Sequence, residues 1–393
     1  MVTPRRTGWI ATALAATPAC CLLAFAALAG RDWFEVHTTR LYCAQDAHAI
    51  HEFGVERLWL AALGVVLLVL ARPIGNRVAR AGVRRTAARA VTLLVAVALA
   101  LVTADLFLRA KHRRLASPPQ TCQLPPTHPD PDLGWAYDPS IHAVLVDGDR
   151  PITYDFDAHG DRVAAPGATP VPDAPTILFV GESVTMGLGL PWDETYPALA
   201  GKQLGLPVVN IGVHGYGDDQ TLLRTWQRLP ELHRPVAVVM IAMAELLSRD
   251  VADWRPRLAL GGDGRFRTVK PQPEWARTSP VRQLFETLVP YHSEEAIHIA
   301  RATYAAVAAA ARERGAYPLF LLTNYYWQCE PDETGAPSIE RRLFGGLDVD
   351  HVRVDLDRSW IIPSNGHPDA RANRLLADAV AGALERREIG TRR

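Results

Sequence analysis

The sequence predicts an α/β fold: a doubly wound, three-layer domain with a parallel sheet, preceded by three transmembrane helices. Two observations predict it. From Pro175 onward, short continuous apolar runs of strand length alternate with longer helical segments, a pattern typical of a parallel sheet covered on both faces. Before residue 110, apolar stretches alternate with arginine-rich segments that contain few acids, as membrane helices and their loops do.

The length and charge of the chain limit its organisation and its partners. At 393 residues it is long enough for one large domain and something smaller. The 42 basic and 42 acidic residues cancel, so the overall charge gives no reason to expect a nucleic-acid partner. The spacing of the cysteines matches no metal motif and the histidines are scattered, so we predict neither a metal nor a cofactor.

Three apolar stretches in region 1–115 predict the transmembrane helices, at about residues 7–30, 57–75 and 89–108. The first carries no charge, and the second is short and needs its flanking arginines to extend outward. The apolar run of the third, over 90–108, is interrupted only by Asp105. A cleaved signal peptide is the alternative for the first stretch. Its apolar run is longer than a signal core and more apolar segments follow, so we expect an uncleaved helix.

The arginines predict the orientation of these helices. Arg5 and Arg6 precede the first stretch, and six arginines lie in 72–89, between the second and the third. If both groups are cytoplasmic, the chain is a multi-pass protein of the cytoplasmic membrane whose remaining residues lie on the extracytoplasmic side. Four basic residues in 109–114 favour a two-span alternative, but that arrangement would place the six-arginine loop outside.

The rest of the chain divides by composition. Residues 116–131 are proline-rich and lack periodicity, which predicts a linker. Residues 132–174 contain short alternating stretches such as 152–156 and are interpreted as a small β appendage. Residues 175–390 form the predicted α/β domain. Its predicted strands are 176–180, 208–211, 236–243, 318–322 and 352–355, and its predicted helices are 196–204, 220–229, 294–314 and 371–387.

The first predicted strand of this domain leads into a candidate nucleophile. It ends in Gly181-Glu182-Ser183, where the chain turns off the sheet toward a helix. Ligands of doubly wound sheets bind at the carboxyl ends of the strands, and amides at a helix start can donate to an oxyanion. A helix N-cap serine is the structural alternative. The elbow of α/β-hydrolases does not fit, because no glycine stands two residues after Ser183.

Two further segments could reach the same crevice. Segment 210–217 (NIGVHGYG) has three glycines that allow a ligand close to the backbone, with a tight strand-to-helix turn as the alternative. Within it, His214 is a candidate substrate-binding residue. Near the C-terminus, His367 stands directly before Pro368 and the last amphipathic helix, where its ring can face the crevice.

Together these segments resemble the motifs of the SGNH, or GDSL-type, hydrolase family, over roughly residues 130–387. Residues 181–183 resemble the Gly-Asp-Ser block, with Glu in place of Asp, residues 210–212 the second block, and residues 367–368 the last block. The resemblance implies a flavodoxin-like α/β/α sheet with Ser183 as nucleophile and His367 as base. It also implies an oxyanion hole that includes the amides of Ser183 and Gly212.

The chain departs from this family at the third block. There the family usually offers an Asn after the third strand, whose side-chain amide donates to the oxyanion. Here Ala244 or Glu245 occupies that slot, and loss of one such donor typically costs about 10² to 10³ in turnover. Glu245 is also a candidate substrate-binding residue.

A second departure concerns the acid that orients the catalytic histidine. The family places it two or three residues before the histidine, where this chain has Asn365 and Ser364. Asn365 can accept from the histidine Nδ1–H and hold the ring, but it cannot stabilise an imidazolium as a carboxylate does. A backbone carbonyl, Asp369 and Asp355 are the alternatives.

The predicted function is therefore a serine esterase or acyl-transfer enzyme that works through an acyl-enzyme. A site outside the membrane makes an acylated small molecule, glycan or lipid the expected substrate, with O-acetyl groups of the cell envelope among the candidates. Because two family features are missing, the alternative is a catalytically weak or inactive domain. Such a domain would bind acylated glycans or act as an envelope assembly protein.

Overall fold

The structure is a computed structural model that describes residues 4–29, 47–81, 123–168, 173–252, 255–271, 293–324, 339–357 and 359–390. These residues fall into two compact units, one within residues 4–81 and the other within residues 123–390. The first unit contains the helices α1 (Pro4–Leu28) and α2 (Ala47–Ala81).

Both helices of the first unit are long and apolar enough to cross a membrane, over Trp9–Leu28 and Arg57–Arg80. They pack closely, since a Cβ atom added at Gly64 would lie 2.9 Å from Cγ of Leu23. The Arg57 guanidinium donates to the carbonyl of Ala26 at 2.9 and 2.7 Å. The predicted third helix, at 89–108, lies outside the described residues.

The second unit contains twelve described strands and seven described α-helices. The strands are β1 (Thr127–Asp130), β2 (Gly134–Tyr137), β3 (His142–Asp147), β4 (Arg150–Phe156), β5 (Arg162–Val163), β6 (Thr176–Val180), β7 (Val208–Asn210), β8 (Pro235–Ala242), β9 (Arg257–Leu260), β10 (Phe266–Val269), β11 (Tyr317–Asn324) and β12 (Asp350–Asp355). The helices are α3 (Ser183–Met186), α4 (Tyr196–Leu204), α5 (Asp218–Arg228), α6 (Leu247–Asp250), α7 (Ser293–Glu313), α8 (Ile339–Phe344) and α9 (Ala370–Glu385).

Eight of these strands form one sheet in the order β12-β11-β8-β6-β7-β5-β4-β3. The first five are parallel. In chain order they read 2-1-3-4-5 across the sheet, the doubly wound arrangement of flavodoxin-like folds. The strand order reverses between β6 and β8, which opens a crevice at their carboxyl ends. The predicted doubly wound α/β fold is confirmed.

Helices cover both faces of this sheet because its central strands bury both faces. Leu319 and Leu321 of β11 belong to a core that α4 and α9 complete with Tyr196 and Leu376, among others. Phe320, between those leucines, points to the opposite face, where its ring lies 5.2 Å from that of Tyr304 on α7. Alternation along one strand thus fills two apolar layers.

Three strands of the segment predicted to be a small β appendage belong to the main sheet instead. Strands β3, β4 and β5 continue the main sheet through antiparallel pairing, with Arg162 of β5 opposite Asn210 of β7. The sheet is therefore mixed rather than wholly parallel. Side chains of β2 and β4 form a second apolar cluster with α3 and with the loop that follows β7, through Tyr137, Ile152, Met186 and Val213 among others.

Candidate active site

Ser183 lies at the start of α3, three residues beyond the end of β6, at the reversal point of the sheet. It is buried, with 5% of its surface exposed. Its backbone N–H finds no acceptor within the described part of the chain, as is common for the first amides of a helix. The hydroxyl and a donor amide are thus presented together where the crevice opens.

His367 reaches the same place from the loop between β12 and α9. Backbone hydrogen bonds from Ile362 N to His367 O at 2.7 Å and from Asp369 N to Trp360 O at 3.0 Å close the loop. The His367 Nε2 atom lies 2.8 Å from the Ser183 Oγ. The structure therefore brings together the two residues predicted to carry the chemistry, at the distance of a hydrogen bond.

Asn365 occupies the position predicted for the histidine orienter. Its Oδ1 accepts the backbone N–H of His367 at 2.7 Å and lies 3.2 Å from the ring Nδ1. Its backbone carbonyl oxygen lies 3.3 Å from the same Nδ1. Its Nδ2 donates to Asp147 Oδ2 at 2.7 Å. Asn365 thus stands between the histidine and a carboxylate that sequence reasoning did not single out.

The two acids named as alternative orienters are engaged elsewhere. Asp369 caps α9, where its Oδ1 accepts from the amides of Arg371 and Ala372, and its Oδ2 binds the Arg371 guanidinium at 2.7 Å. Asp355 pairs with Arg353 at 3.0 and 3.1 Å. Both expectations rested on closeness in sequence, which does not determine where a side chain points.

Glu182 contacts the candidate nucleophile directly. Its Oε1 accepts the Val184 amide at 2.9 Å and so caps α3, and its Oε2 accepts a hydrogen bond from the Ser183 hydroxyl. The Arg249 Nη1 lies 3.9 Å from the same Oε2. The single hydroxyl proton of Ser183 therefore has two acceptors, Glu182 and His367.

The predicted oxyanion donors differ in their geometry. The Gly212 amide donates to Asn210 Oδ1 at 3.0 Å, so it already has a partner. Asn210 also donates from Nδ2 to the Thr185 carbonyl at 2.7 Å and ties the two loops together. A Cβ at Gly212 would lie 2.5 Å from the Met186 amide nitrogen, so only glycine fits there.

The slot of the missing Asn contains no side-chain donor at Ala244. This buried residue begins a single turn of 3₁₀ helix over Ala244–Leu246, directly after β8. The side chain of Glu245 lies outside the described residues. The third oxyanion donor expected from the family pattern is therefore missing at Ala244.

His214 is held at the site by β2. Its Nδ1 lies 2.9 Å from the Tyr137 hydroxyl, and Trp135 Nε1 donates to its carbonyl at 3.0 Å. Burial, together with the smaller effects of the nearby Arg249 and His367, lowers the pKa of His214 to about 4. The ring is therefore neutral at neutral pH and can serve as a hydrogen-bonding group without charge.

The charges around His367 act in opposite directions. Burial lowers its pKa below the usual 6.5, and Arg249 acts the same way, while Glu182 and Asp147 raise it. The net effect is a lowered pKa. His367 is therefore neutral near pH 7, the form that can accept a proton.

Arg162 is another site residue that sequence reasoning missed. It is buried in β5, and its guanidinium donates to the carbonyls of Met186 at 2.6 Å, Gly187 at 2.7 Å and Leu190 at 2.5 Å. It therefore fixes the loop that follows Ser183. The sequence gives no local signal for this role, because the carbonyls that Arg162 binds lie 24 to 28 positions farther along the chain.

Comparison with known proteins finds similarity at the level of solved structures. No protein-family model and no curated protein matches the sequence. A lipolytic protein of the G-D-S-L family from Desulfitobacterium hafniense is 14% identical, with 53% of this chain and 99% of that chain covered and a TM-score of 0.30. The acetyl xylan esterase Est2A from Butyrivibrio proteoclasticus is 12% identical, with 57% and 66% covered and a TM-score of 0.33.

A family two carbohydrate esterase from Clostridium thermocellum, in complex with cellohexaose, is 15% identical, with 56% and 66% covered and a TM-score of 0.33. Structures of G-D-S-L lipolytic proteins and carbohydrate esterases are thus among those similar to this chain. Because these scores are low, the fold rests on the strand order of the chain's own sheet, which is the three-layer α/β arrangement expected of an SGNH-type hydrolase.

Proposed function

We propose that this chain is a serine esterase or acyl-transfer enzyme with Ser183 as nucleophile and His367 as general base. The observation that carries the proposal is the 2.8 Å contact between His367 Nε2 and Ser183 Oγ. A hydroxyl becomes a useful nucleophile when a base within hydrogen-bond reach takes its proton as it attacks. The position at the reversal of the strand order supports the same role.

The reaction proceeds in two balanced halves. Ser183 Oγ bonds to the ester carbonyl carbon, its proton moves to His367 Nε2, and the carbonyl π electrons move onto the oxygen. Collapse of this intermediate breaks the bond to the leaving alkoxide, which takes the proton from His367. Water, or an acceptor hydroxyl in a transferase, then attacks the carbonyl carbon of the acyl-enzyme and gives its proton to His367. The bond to Ser183 Oγ breaks, and that oxygen takes the proton back from His367.

The oxyanion would be stabilised first by the Ser183 amide, which lacks an acceptor within the described residues. The Gly212 amide can contribute only by sharing its proton with Asn210 Oδ1. A site with one free amide and one shared amide is weaker than one that also has an Asn donor. We therefore expect turnover with activated esters to exceed turnover with unactivated ones.

We infer the class of substrate from the apolar helices that precede the α/β domain. Two helices long enough to span a membrane precede the α/β domain. We propose that the domain lies outside the cytoplasmic membrane and acts on acylated glycans, lipids or small molecules, O-acetyl esters among them. His214, neutral and held by the Tyr137 hydroxyl, is the residue that would hydrogen-bond the substrate.

Turnover of p-nitrophenyl acetate by the full chain in detergent tests the proposal. Ser183→Ala should abolish it, because the attacking oxygen is removed, and thermal unfolding should stay close to that of the native chain. Ser359→Ala is the matched control, since that serine is exposed and bonds Asp357, and it should retain full activity. Unchanged turnover in Ser183→Ala would remove the proposed nucleophile.

One observation favours a second candidate function, a binding domain with little turnover. The Ser183 hydroxyl can give its proton to Glu182 instead of His367, and the Gly212 amide already has a partner. Such a site could hold an acyl ester without cleaving it. A fluorophosphonate probe distinguishes the two: labelling at Ser183, located by mass spectrometry, indicates an activated nucleophile, and binding of an acetylated glycan without labelling indicates the binding domain.

A further inference from the structure

The Asp147 carboxylate stands behind the histidine, and no step described above uses it. It is the last residue of β3, only 5% exposed, and its Oδ2 accepts from Asn365 Nδ2 at 2.7 Å. Its Oδ1 is buried without a hydrogen-bond partner among the described residues. A buried carboxylate that satisfies only one oxygen is costly to keep, so its position next to the histidine loop needs a reason.

Two glycines make room for this contact. Gly189 has φ +82°, and a Cβ there would lie 2.4 Å from Asn365 Nδ2 and 2.7 Å from Asp147 Oδ2. At Gly148, which follows Asp147, a Cβ would lie 3.1 Å from the Ser364 Cβ. The turn after β3, at Gly148, and the loop after α3, at Gly189, therefore both pack tightly against the residues of this contact.

The contact determines how the Asn365 amide is oriented. A carboxylate can only accept, so the group of Asn365 that faces Asp147 must be the donor Nδ2. The Oδ1 then faces His367, where it accepts the backbone N–H at 2.7 Å. The carboxylate and the backbone amide thus require the same orientation of the side chain.

This orientation in turn determines the tautomer of His367. Two oxygens of Asn365 lie near the ring Nδ1, Oδ1 at 3.2 Å and the carbonyl O at 3.3 Å, and both can only accept. Nδ1 must therefore carry the proton of the neutral ring. Nε2 is left with a lone pair directed at Ser183 Oγ, 2.8 Å away, as a general base requires.

We propose that Asp147 is the positioning carboxylate of this site and acts on His367 through the Asn365 amide. The proposal rests on the proposed function, in which His367 takes the Ser183 proton. In a serine–histidine–acid triad the acid fixes the tautomer and stabilises the imidazolium that forms. Here Asn365 fixes the tautomer, and Asp147 supplies the negative charge from one residue farther away. A strand outside the doubly wound core thus completes the site.

The test compares Asp147→Asn with Asp149→Asn in the full chain in detergent. Asp149 is exposed in the same turn and is the matched control. Asp147→Asn should lower kcat for p-nitrophenyl acetate about ten- to a hundredfold, the scale on which losing the partner behind a functional histidine acts. Asp149→Asn should change it less than about twofold.

A second readout is independent of turnover. The charged groups that face His367 are Glu182, Arg249 and Asp147, with His214 also near. Removing the Asp147 charge should lower the pKa of His367. NMR of ¹³C-labelled histidine measures this pKa, and the peak of His367 is identified by its loss in His367→Gln. This titration can be measured even if Ser183→Ala shows that the nucleophile was misassigned, so the two failures are distinguishable.

The double variant Asp147→Asn with Asn365→Asp exchanges the two side chains. It tests whether Asp147 acts on His367 through its negative charge or only through its shape. It moves the carboxylate next to His367 while keeping the volume of both side chains. Recovery of at least tenfold in kcat over Asp147→Asn would support the proposal. An unchanged His367 pKa in folded Asp147→Asn, or loss of activity that the double variant does not recover, would overturn it.

Discussion

The imidazole Nε2 of His367 lies 2.8 Å from the hydroxyl oxygen of Ser183, although 184 positions separate them in the sequence. The doubly wound topology explains the meeting, because β6 and the loop before α9 both deliver their residues to the carboxyl edge of the parallel strands. In the proposed function, the charges beside this pair determine the pH at which His367 can accept a proton, and several variants test this.

Replacement of Arg249 should raise the pKa of His367. The guanidinium lies 3.9 Å from Glu182 Oε2 and disfavours a second positive charge on the nearby imidazole. In Arg249→Met the acid limb of the kcat/KM profile, where neutral His367 is lost as the pH falls, should therefore move to higher pH. Arg267→Met, at an exposed ion pair with Asp263, should leave the limb in place.

Replacement of Glu182 should move the same limb in the opposite direction. Its negative charge raises the His367 pKa, so in Glu182→Gln the limb should shift to lower pH. Gln retains the oxygen that accepts the Val184 amide at 2.9 Å, so α3 should keep its cap. The pH dependence of kcat/KM for an aryl ester measures both variants. A shift of Glu182→Gln and Arg249→Met in the same direction would contradict the charge arrangement.

Gly189→Ala should separate Asn365 from Asp147. The new Cβ would lie 2.4 Å from Asn365 Nδ2, at a backbone φ of +82° that disfavours side chains. We expect lower kcat and a lower His367 pKa, because the carboxylate is displaced from the histidine. The matched control is Gly262→Ala, where no atom lies within 4 Å of the added Cβ. An unaltered His367 pKa in folded Gly189→Ala would contradict this expectation.

Ala244→Asn should supply the donor that the third block lacks. Removal of one oxyanion donor costs about 10² to 10³ in turnover in other enzymes, so its introduction should raise kcat by up to about a hundredfold. Ala244→Leu adds volume without a donor and should give no gain. Equal or lower turnover in a folded Ala244→Asn protein would show that position 244 does not face the oxyanion.

A buried acidic cluster predicts a change of stability with pH. Asp218, Asp219 and Asp250 are fully buried near one guanidinium, that of Arg255, and Tyr304 donates to Asp218 Oδ2 at 3.1 Å. Burial raises the pKa of Asp218 to about 7. Between pH 3.8 and about 7 the native chain thus holds a proton that the unfolded chain has lost, so this carboxyl lowers stability progressively as the pH rises through that window.

Asp218→Asn removes this cost, since the amide is neutral and can still accept from the Tyr304 hydroxyl. The variant should unfold at a higher temperature than the native chain at pH 8, and the difference should shrink toward pH 4. Thermal denaturation at the two pH values measures it, with exposed Asp149→Asn as the control. A difference that does not depend on pH would indicate a packing effect instead.

The strands and helices of the α/β domain could be predicted because the pattern of apolar residues within each segment shows which side chains are buried. The strand at Thr176–Val180 is apolar at every position but the first and lies between Pro175 and Gly181, so its bounds follow from composition. Ser183 and His367 could be proposed as site residues for a similar reason, since Ser183 follows a strand and His367 precedes an amphipathic helix that can each be recognised from their own sequence.

The residues behind the histidine could not be predicted, because they depend on contacts between distant segments. Asp147 lies in a segment that reads as an appendage, and only its antiparallel pairing into the main sheet brings it to Asn365. Arg249 follows a turn of 3₁₀ helix whose direction the sequence does not give. The family pattern drew attention to acids near His367 in sequence, and Asp369 and Asp355 proved to bind arginines.

Direct observation of an acyl-enzyme tests the central claim most sharply. The full chain is mixed briefly with p-nitrophenyl acetate, quenched in acid and digested, and the acetylated peptide is located by mass spectrometry. We expect one acetyl group on Ser183, strongly reduced in His367→Gln because the base is missing. Acetylation confined to other residues while turnover continues, or equal labelling of Ser183 without His367, would contradict the account.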